Sequence, residues 1–134
     1  MKDWDEQCLL AAAAEARSKA YAPYSRFAVG AALLTNSGKI FPGANVENAS
    51  FGLTICAERV AAVQAIMAGE LSWRALAVVT AGPQPVTPCG ACRQFLAEFA
   101  PELEILLGVV DGGAGQHTNL RALLPAAFAL TEDR

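Results

Sequence analysis

Residues 75–110 read ALAVVTAGPQPVTPCGACRQFLAEFAPELEILLGVV, and the order of their segments decides the fold. The run 75–80 is short and uniformly apolar, the pattern of a strand buried on both faces. Pro83, Pro85 and Pro88 then break the chain, 89–99 carries helical spacing, and 104–110 is a second apolar run. Strand, helix and strand in succession predict a parallel pair with a right-handed crossover, because parallel neighbours need a connection of this length.

Working outward, 56–68 places alanines and β-branched residues at helical spacing and stops before Gly69, a candidate left-handed cap. Upstream, 27–35 and 39–46 flank the turn signal Asn36-Ser37-Gly38 and predict an antiparallel hairpin. At the start, Asp3 and Glu6 resemble a capping box. Trp4, Cys8, Ala11, Ala12 and Ala16 follow at helical spacing, predicting a helix of about four turns ended by Tyr21-Ala22-Pro23-Tyr24. Downstream come a glycine-rich turn at 112–115, a short capped helix at 119–124 and an apolar tail carrying Phe128. These elements make a mixed-sheet α/β sandwich.

The chain has 134 residues and reads as one domain spanning 1–134. Apolar types at 54% against 17% charged exclude a disordered chain, and aromatics at 7% predict a core built by close approach of small side chains. The longest charge-free stretch, 75–92, contains three prolines, so no membrane span is expected. Lys2-Asp3-Trp4-Asp5-Glu6 is no signal peptide, and the expected location is cytoplasmic. A net charge of −3 without a basic run argues against a nucleic-acid partner. Cys8, Cys56, Cys89 and Cys92 lack the spacing of a disulfide framework, and reduced thiols suggest metal binding, catalysis or packing.

Cys56-Ala57-Glu58 and Cys89-Gly90-Ala91-Cys92 both fall at predicted helix starts. A helix N-terminus offers unpaired amides and partial positive charge, which stabilise a thiolate, the form that binds metal. Three thiolates fill three tetrahedral corners of zinc and leave one for water, as catalytic sites do. Glu58 shares the first turn with Cys56 and is the candidate proton carrier. Three thiolates overbalance the ion, so Arg59, on the same helical face as Cys56, is expected to offset the charge, with Arg93 a second candidate. Cys8 is expected to be core filler, and His117 a bystander in an exposed loop.

The chain resembles the small zinc-dependent cytidine deaminases through Tyr24-Ser25-Arg26-Phe27-Ala28-Val29-Gly30-Ala31-Ala32, Asn45-Val46-Glu47-Asn48-Ala49-Ser50, Cys56-Ala57-Glu58-Arg59, Pro88-Cys89-Gly90-Ala91-Cys92-Arg93-Gln94 and Leu123-Leu124-Pro125-Ala126-Ala127-Phe128. The resemblance implies a three-layer α/β/α sandwich with a mixed sheet of about five strands. It implies one Zn²⁺ per subunit on Cys56, Cys89 and Cys92, a zinc-activated water attacking C4 of cytidine or 2′-deoxycytidine, and Glu58 moving protons to N3 and the departing amine. It further implies that the Ala57 amide meets the pyrimidine carbonyl and the Thr87 carbonyl meets the amino group. Asn45 and Glu47 would hold the ribose 3′ hydroxyl, Phe27 would pack on the base, and Phe128 would complete a neighbour's site in a homotetramer. Phe51 stands where such proteins often carry Tyr, and residues 111–118 receive no role.

Two other readings compete with this one. A deaminase of another base, or of a polynucleotide, conflicts with the net charge and with side chains gripping a free 3′ hydroxyl. A structural zinc-binding module with Cys8 as fourth ligand leaves Glu58 without a purpose.

Overall fold

The computed structural model describes residues 3–111 and 115–130. The first helix, α1, runs Glu6–Arg17. Its cap is Asp5, not Asp3: Asp5 has extended backbone and its carboxylate accepts from the amides of Gln7 at 2.9 Å and Cys8 at 3.4 Å. Asp3 instead pairs with Arg74 at 2.6 Å. The helix ends at Arg17, ahead of the Tyr21-Ala22-Pro23-Tyr24 stop, because the Ser18 hydroxyl turns back to the Glu15 carbonyl. Cys8 lies on the exposed side of α1 with its thiol toward Asp5, so it is not core filler; the apolar stripe is carried by Leu9, Ala13 and Ala16.

The strands β1 (Val29–Thr35) and β2 (Ile40–Ala44) form the antiparallel hairpin, with Gly38 at φ +94° in its turn. Helix α2 (Ala57–Met67) follows, and Gly69 closes it at φ +81°. Strand β3 (Trp73–Thr80), helix α3 (Gly90–Ala97) and strand β4 (Glu104–Val109) make the expected parallel unit, registered from Ala75 opposite Glu104 to Thr80 opposite Val109. A fifth strand, β5 (Gln116–Asn119), pairs antiparallel with β4, and Asn119 caps α4 (Leu120–Leu123) by accepting from the Ala122 amide at 2.8 Å. The polar run of β5 carries no apolar alternation, and His117 on it meets Glu6 of α1 at 3.1 Å. Of the glycine-rich turn at 112–115, residues 112–114 lie outside the described residues.

The mixed sheet has the order β2-β1-β3-β4-β5 and lies between two helical layers. Alternation along each strand divides the core. Ala31, Leu33, Leu76, Val78, Ile105 and Leu107 pack with Ala57, Ala61, Ala65 and Leu96 of α2 and α3. Ala32, Leu34, Ala75, Ala77, Val79 and Leu106 pack with Leu9 and Ala13 of α1. Pro42 lies on the edge strand β2, where its missing N–H breaks no ladder bond. No helix among the described residues is long and apolar enough to cross a membrane.

Small residues let the helices approach. A Cβ on Gly30 would lie 1.9 Å from the Ala13 carbonyl oxygen, and one on Gly43 would lie 2.4 Å from the Ala61 nitrogen and 2.5 Å from the Ala57 oxygen. These neighbours are backbone, which cannot rotate away. Gly43→Ala is therefore expected to destabilise the fold by about 3 kcal/mol, near the upper end for overpacking, and to lower Tm by roughly 10 °C. Gly52→Ala, with no atom within 4 Å of the added carbon, should leave it unchanged; equal melting of both variants would refute this account of the α2 docking.

Candidate active site

Cys56 and Cys89 are the caps of α2 and α3, each with extended backbone, and neither side chain makes a capping hydrogen bond to the amides of its own helix. A cap normally satisfies a free amide, so both sulfurs are left for another partner. Cys92 is buried in the first turn of α3. The three sulfurs lie within 4.8 Å of one another, and Cys56 and Cys89 are 3.8 Å apart. Zinc–sulfur bonds of about 2.3 Å at a tetrahedral angle require sulfurs about 3.8 Å apart, so the Cys56–Cys89 separation matches and the trio is clustered closely enough to share one zinc ion.

Charge is arranged around these thiols. Hydrogen bonding to Cys92, and then to Arg59 and Cys89, pushes the Cys56 thiol down, while the same bond and burial push Cys92 up. The Arg59 guanidinium donates to Cys56 Sγ at 3.4 Å, as expected of a group that offsets thiolate charge. Arg93 does not share this task. It donates to the Pro88 and Leu123 carbonyls and to the Thr87 hydroxyl.

Glu58 is 5% exposed, and burial raises its carboxyl to about 7, helped by the neighbouring Cys56 charge and opposed by its own amide and Arg59. It borders a cavity of about 160 Å³ together with Cys56, Cys89, Ala57, Asn45 and Thr87. The buried Ala57 amide has no acceptor among the described residues, as the first turn of a helix dictates. Thr80, at the end of the apolar run 75–80, also borders the cavity, and its buried hydroxyl lacks a partner among the described residues. Its only signal was a polar residue at the end of an apolar run.

Four of the expected substrate residues need separate accounts. Asn45 is buried and latches the end of β1, donating to the Phe27 carbonyl and accepting from the Val29 amide, both at 2.9 Å. Glu47 stands outside the cavity lining. It accepts from the amides of Tyr24 at 3.0 Å and Ser25 at 3.1 Å and from the Ser25 hydroxyl, and this last bond chiefly holds its carboxyl below the usual range. Between these anchors Arg26 takes φ +60°, a left-handed conformation unfavourable to a large side chain. Phe27 is 41% exposed beside this segment and also stands outside the lining. Phe128 is 70% exposed on the C-terminal segment, where Gln94 grips its backbone by donating to the carbonyl at 3.0 Å and accepting from the amide at 3.3 Å.

Cobalt(II), which reports thiolate ligation by its absorption, is expected to saturate at one equivalent per chain. Cys89→Ser should weaken its affinity by more than the roughly 10- to 100-fold that losing an outer partner costs. An undiminished affinity and thiolate signal in that variant would remove Cys89 from the ligand set.

Comparison with known proteins agrees with this geometry. Residues 2–106 match the family described as the cytidine and deoxycytidylate deaminase zinc-binding region. A cytidine deaminase of Halalkalibacterium halodurans is 50% identical over 125 residues, covering 92% of this chain and 94% of that protein. One from Mycobacterium tuberculosis is 43% identical, covering 98% and 96%. The crystal structure of a cytidine deaminase from Burkholderia pseudomallei superposes with a TM-score of 0.88 at 50% identity, covering 93% of this chain and all of that one. With its three cysteine sulfurs at zinc-binding separation and a match that spans most of its length, the chain belongs to the cytidine and deoxycytidylate deaminase family.

Proposed function

We propose that the chain hydrolyses the 4-amino group of cytidine and 2′-deoxycytidine, giving uridine or 2′-deoxyuridine and ammonia. The observation that carries this reading is the buried Glu58 carboxyl beside three clustered thiols at the edge of one small cavity. Zinc held by Cys56, Cys89 and Cys92 would supply Lewis-acid activation of a water for attack on C4. Glu58 then does the proton work. Its carboxyl, poised at about 7, takes the proton of the attacking water, passes it to ring N3 and assists departure of the amine. Arg59 donates to Cys56 and keeps the three-thiolate site from becoming too negative.

The free Ala57 amide suits the pyrimidine carbonyl, and the Thr87 carbonyl suits the amino group that leaves. Asn45 and Glu47 each keep hydrogen-bonding capacity after their bonds to the 24–29 segment, a second amide hydrogen on Asn45 and spare carboxylate lone pairs on Glu47. They would hold the ribose 3′ hydroxyl while fixing the segment that presents Phe27 to the base. Free thiols acting as ligands suit a reducing compartment, the cytoplasm.

Glu58→Gln keeps the shape and removes proton transfer. Its kcat is expected to fall by about 10²- to 10⁴-fold, the usual contribution of a general acid–base group, with one zinc per chain retained. Wild-type turnover in the zinc-loaded variant would refute the assignment.

Assembly is part of the same reading. Tyr24, Phe51, Leu53 and Ile55 leave apolar surface exposed, with the Phe51 ring 6.1 Å from that of Tyr24. Exposed apolar surface of this kind, together with the unpacked Phe128 ring, supports a homotetramer in which each site borrows Phe128 from a neighbour. Sedimentation is expected to give four times the chain mass, and Phe128→Ala to raise KM for cytidine about tenfold, an aromatic contact's order of energy. A fully active monomer would refute it.

A further inference from the structure

The loop 81–88 joins β3 to α3 and contributes Val86 and Thr87 to the cavity wall. Among the described residues it makes no hydrogen bond except two, and Arg93 donates both: Nε to the Pro88 carbonyl at 2.8 Å and Nη2 to the Thr87 hydroxyl at 3.1 Å. Its three prolines restrict local backbone angles, but they cannot place the loop relative to the helices.

The third arm of Arg93 reaches the other way. Nη1 donates at 2.9 Å to the Leu123 carbonyl, one of the free carbonyls at the end of α4. Helix α4 is itself fastened to the sheet layer, since the Leu120 amide donates to the Leu103 carbonyl at 2.9 Å and Leu120 is buried in the core. One guanidinium thus ties a loop without bonds of its own to a fixed element. Only a planar, multi-donor cation can face three acceptors in this way; an ammonium on a flexible stem cannot reproduce the fork.

We propose that Arg93 is a positioning residue for the deaminase reaction, setting the Thr87 wall of the cavity against which the substrate's amino group lies. This rests on the activity proposed above. Arg93 acts through Thr87 and Pro88: its side-chain hydrogen bonds go to the Pro88 and Leu123 carbonyls and the Thr87 hydroxyl.

The test uses the zinc-loaded protein and its cobalt(II) form, with Arg93→Met, Arg93→Lys and Thr87→Val. Displacement of a substrate-contacting wall is expected to raise KM for cytidine about tenfold in Arg93→Met, with kcat changed less than about threefold. The cobalt–thiolate absorption should stay as in the wild type. Arg93→Lys should recover little of the loss, and Thr87→Val, which removes one acceptor, should reproduce a small part of it. A KM for Arg93→Met within about twofold of wild type overturns the proposal. So does loss of the cobalt–thiolate absorption, because Arg93 would then support the ligand helix and not the wall. If Arg93→Met does not fold, Arg93→Lys decides, and a wild-type KM there refutes the fork. If the wild type itself does not turn over cytidine, the activity reading fails. The tether is then judged by proteinase K nicking of the 81–88 loop, which Arg93→Lys must accelerate if the tether is real.

Discussion

Three thiols that would repel one another as thiolates must be held within 4.8 Å, and the architecture supplies the compensation through two helix N-termini that meet at the ends of the central strands. Each N-terminus contributes unpaired amides and partial positive charge, and Arg59 adds a full charge at 3.4 Å from Cys56. Glu58 is drawn into the same low-dielectric corner. There, burial keeps its proton affinity near neutral pH, where a carboxyl can both accept and return a proton.

Holding two helix ends together demands close packing behind them. Gly43 lets α2 settle onto β2 and Gly30 lets α1 settle onto β1, both at separations that no side chain permits. The alanines at Ala57, Ala61 and Ala65 extend this contact along α2. The site's precision therefore comes from small residues remote from the chemistry. Beside this floor two segments are fixed by polar side chains: Asn45 and Glu47 hold the one leading into β1, and Arg93 holds the one leading into α3, which contributes Val86 and Thr87 to the cavity wall.

Much of this was legible in residue order. The parallel unit, the hairpin, the capped helices and the clustering of Cys56, Cys89 and Cys92 follow from local patterns, because helical spacing and apolar runs are local properties of the chain. Other features were not. Asp5 displaces Asp3 as the cap because two acidic residues near a helix start differ only in backbone conformation. The polar β5 forms because β4 offers it a free edge, and nothing in its own side chains asks for a strand. Cys8 turned outward because helical phase, set by Leu9 and Ala13 against the sheet, decides which side of α1 it occupies.

Sequence alone determined which chemistry is available: three thiols at two helix starts, a carboxyl two residues from one of them, and an arginine one turn away. Only the tertiary structure decided how those groups act on one another. Arg59 follows Cys56 by three residues and Arg93 directly follows Cys92, yet one reaches Cys56 and the other turns away to bind Thr87, Pro88 and Leu123. Thr80, an unremarkable strand residue by sequence, becomes part of the cavity wall. The reason is physical: residue type and spacing specify a side chain's reach and chemistry, whereas its partners depend on which distant backbone the packed sheet brings within hydrogen-bonding range.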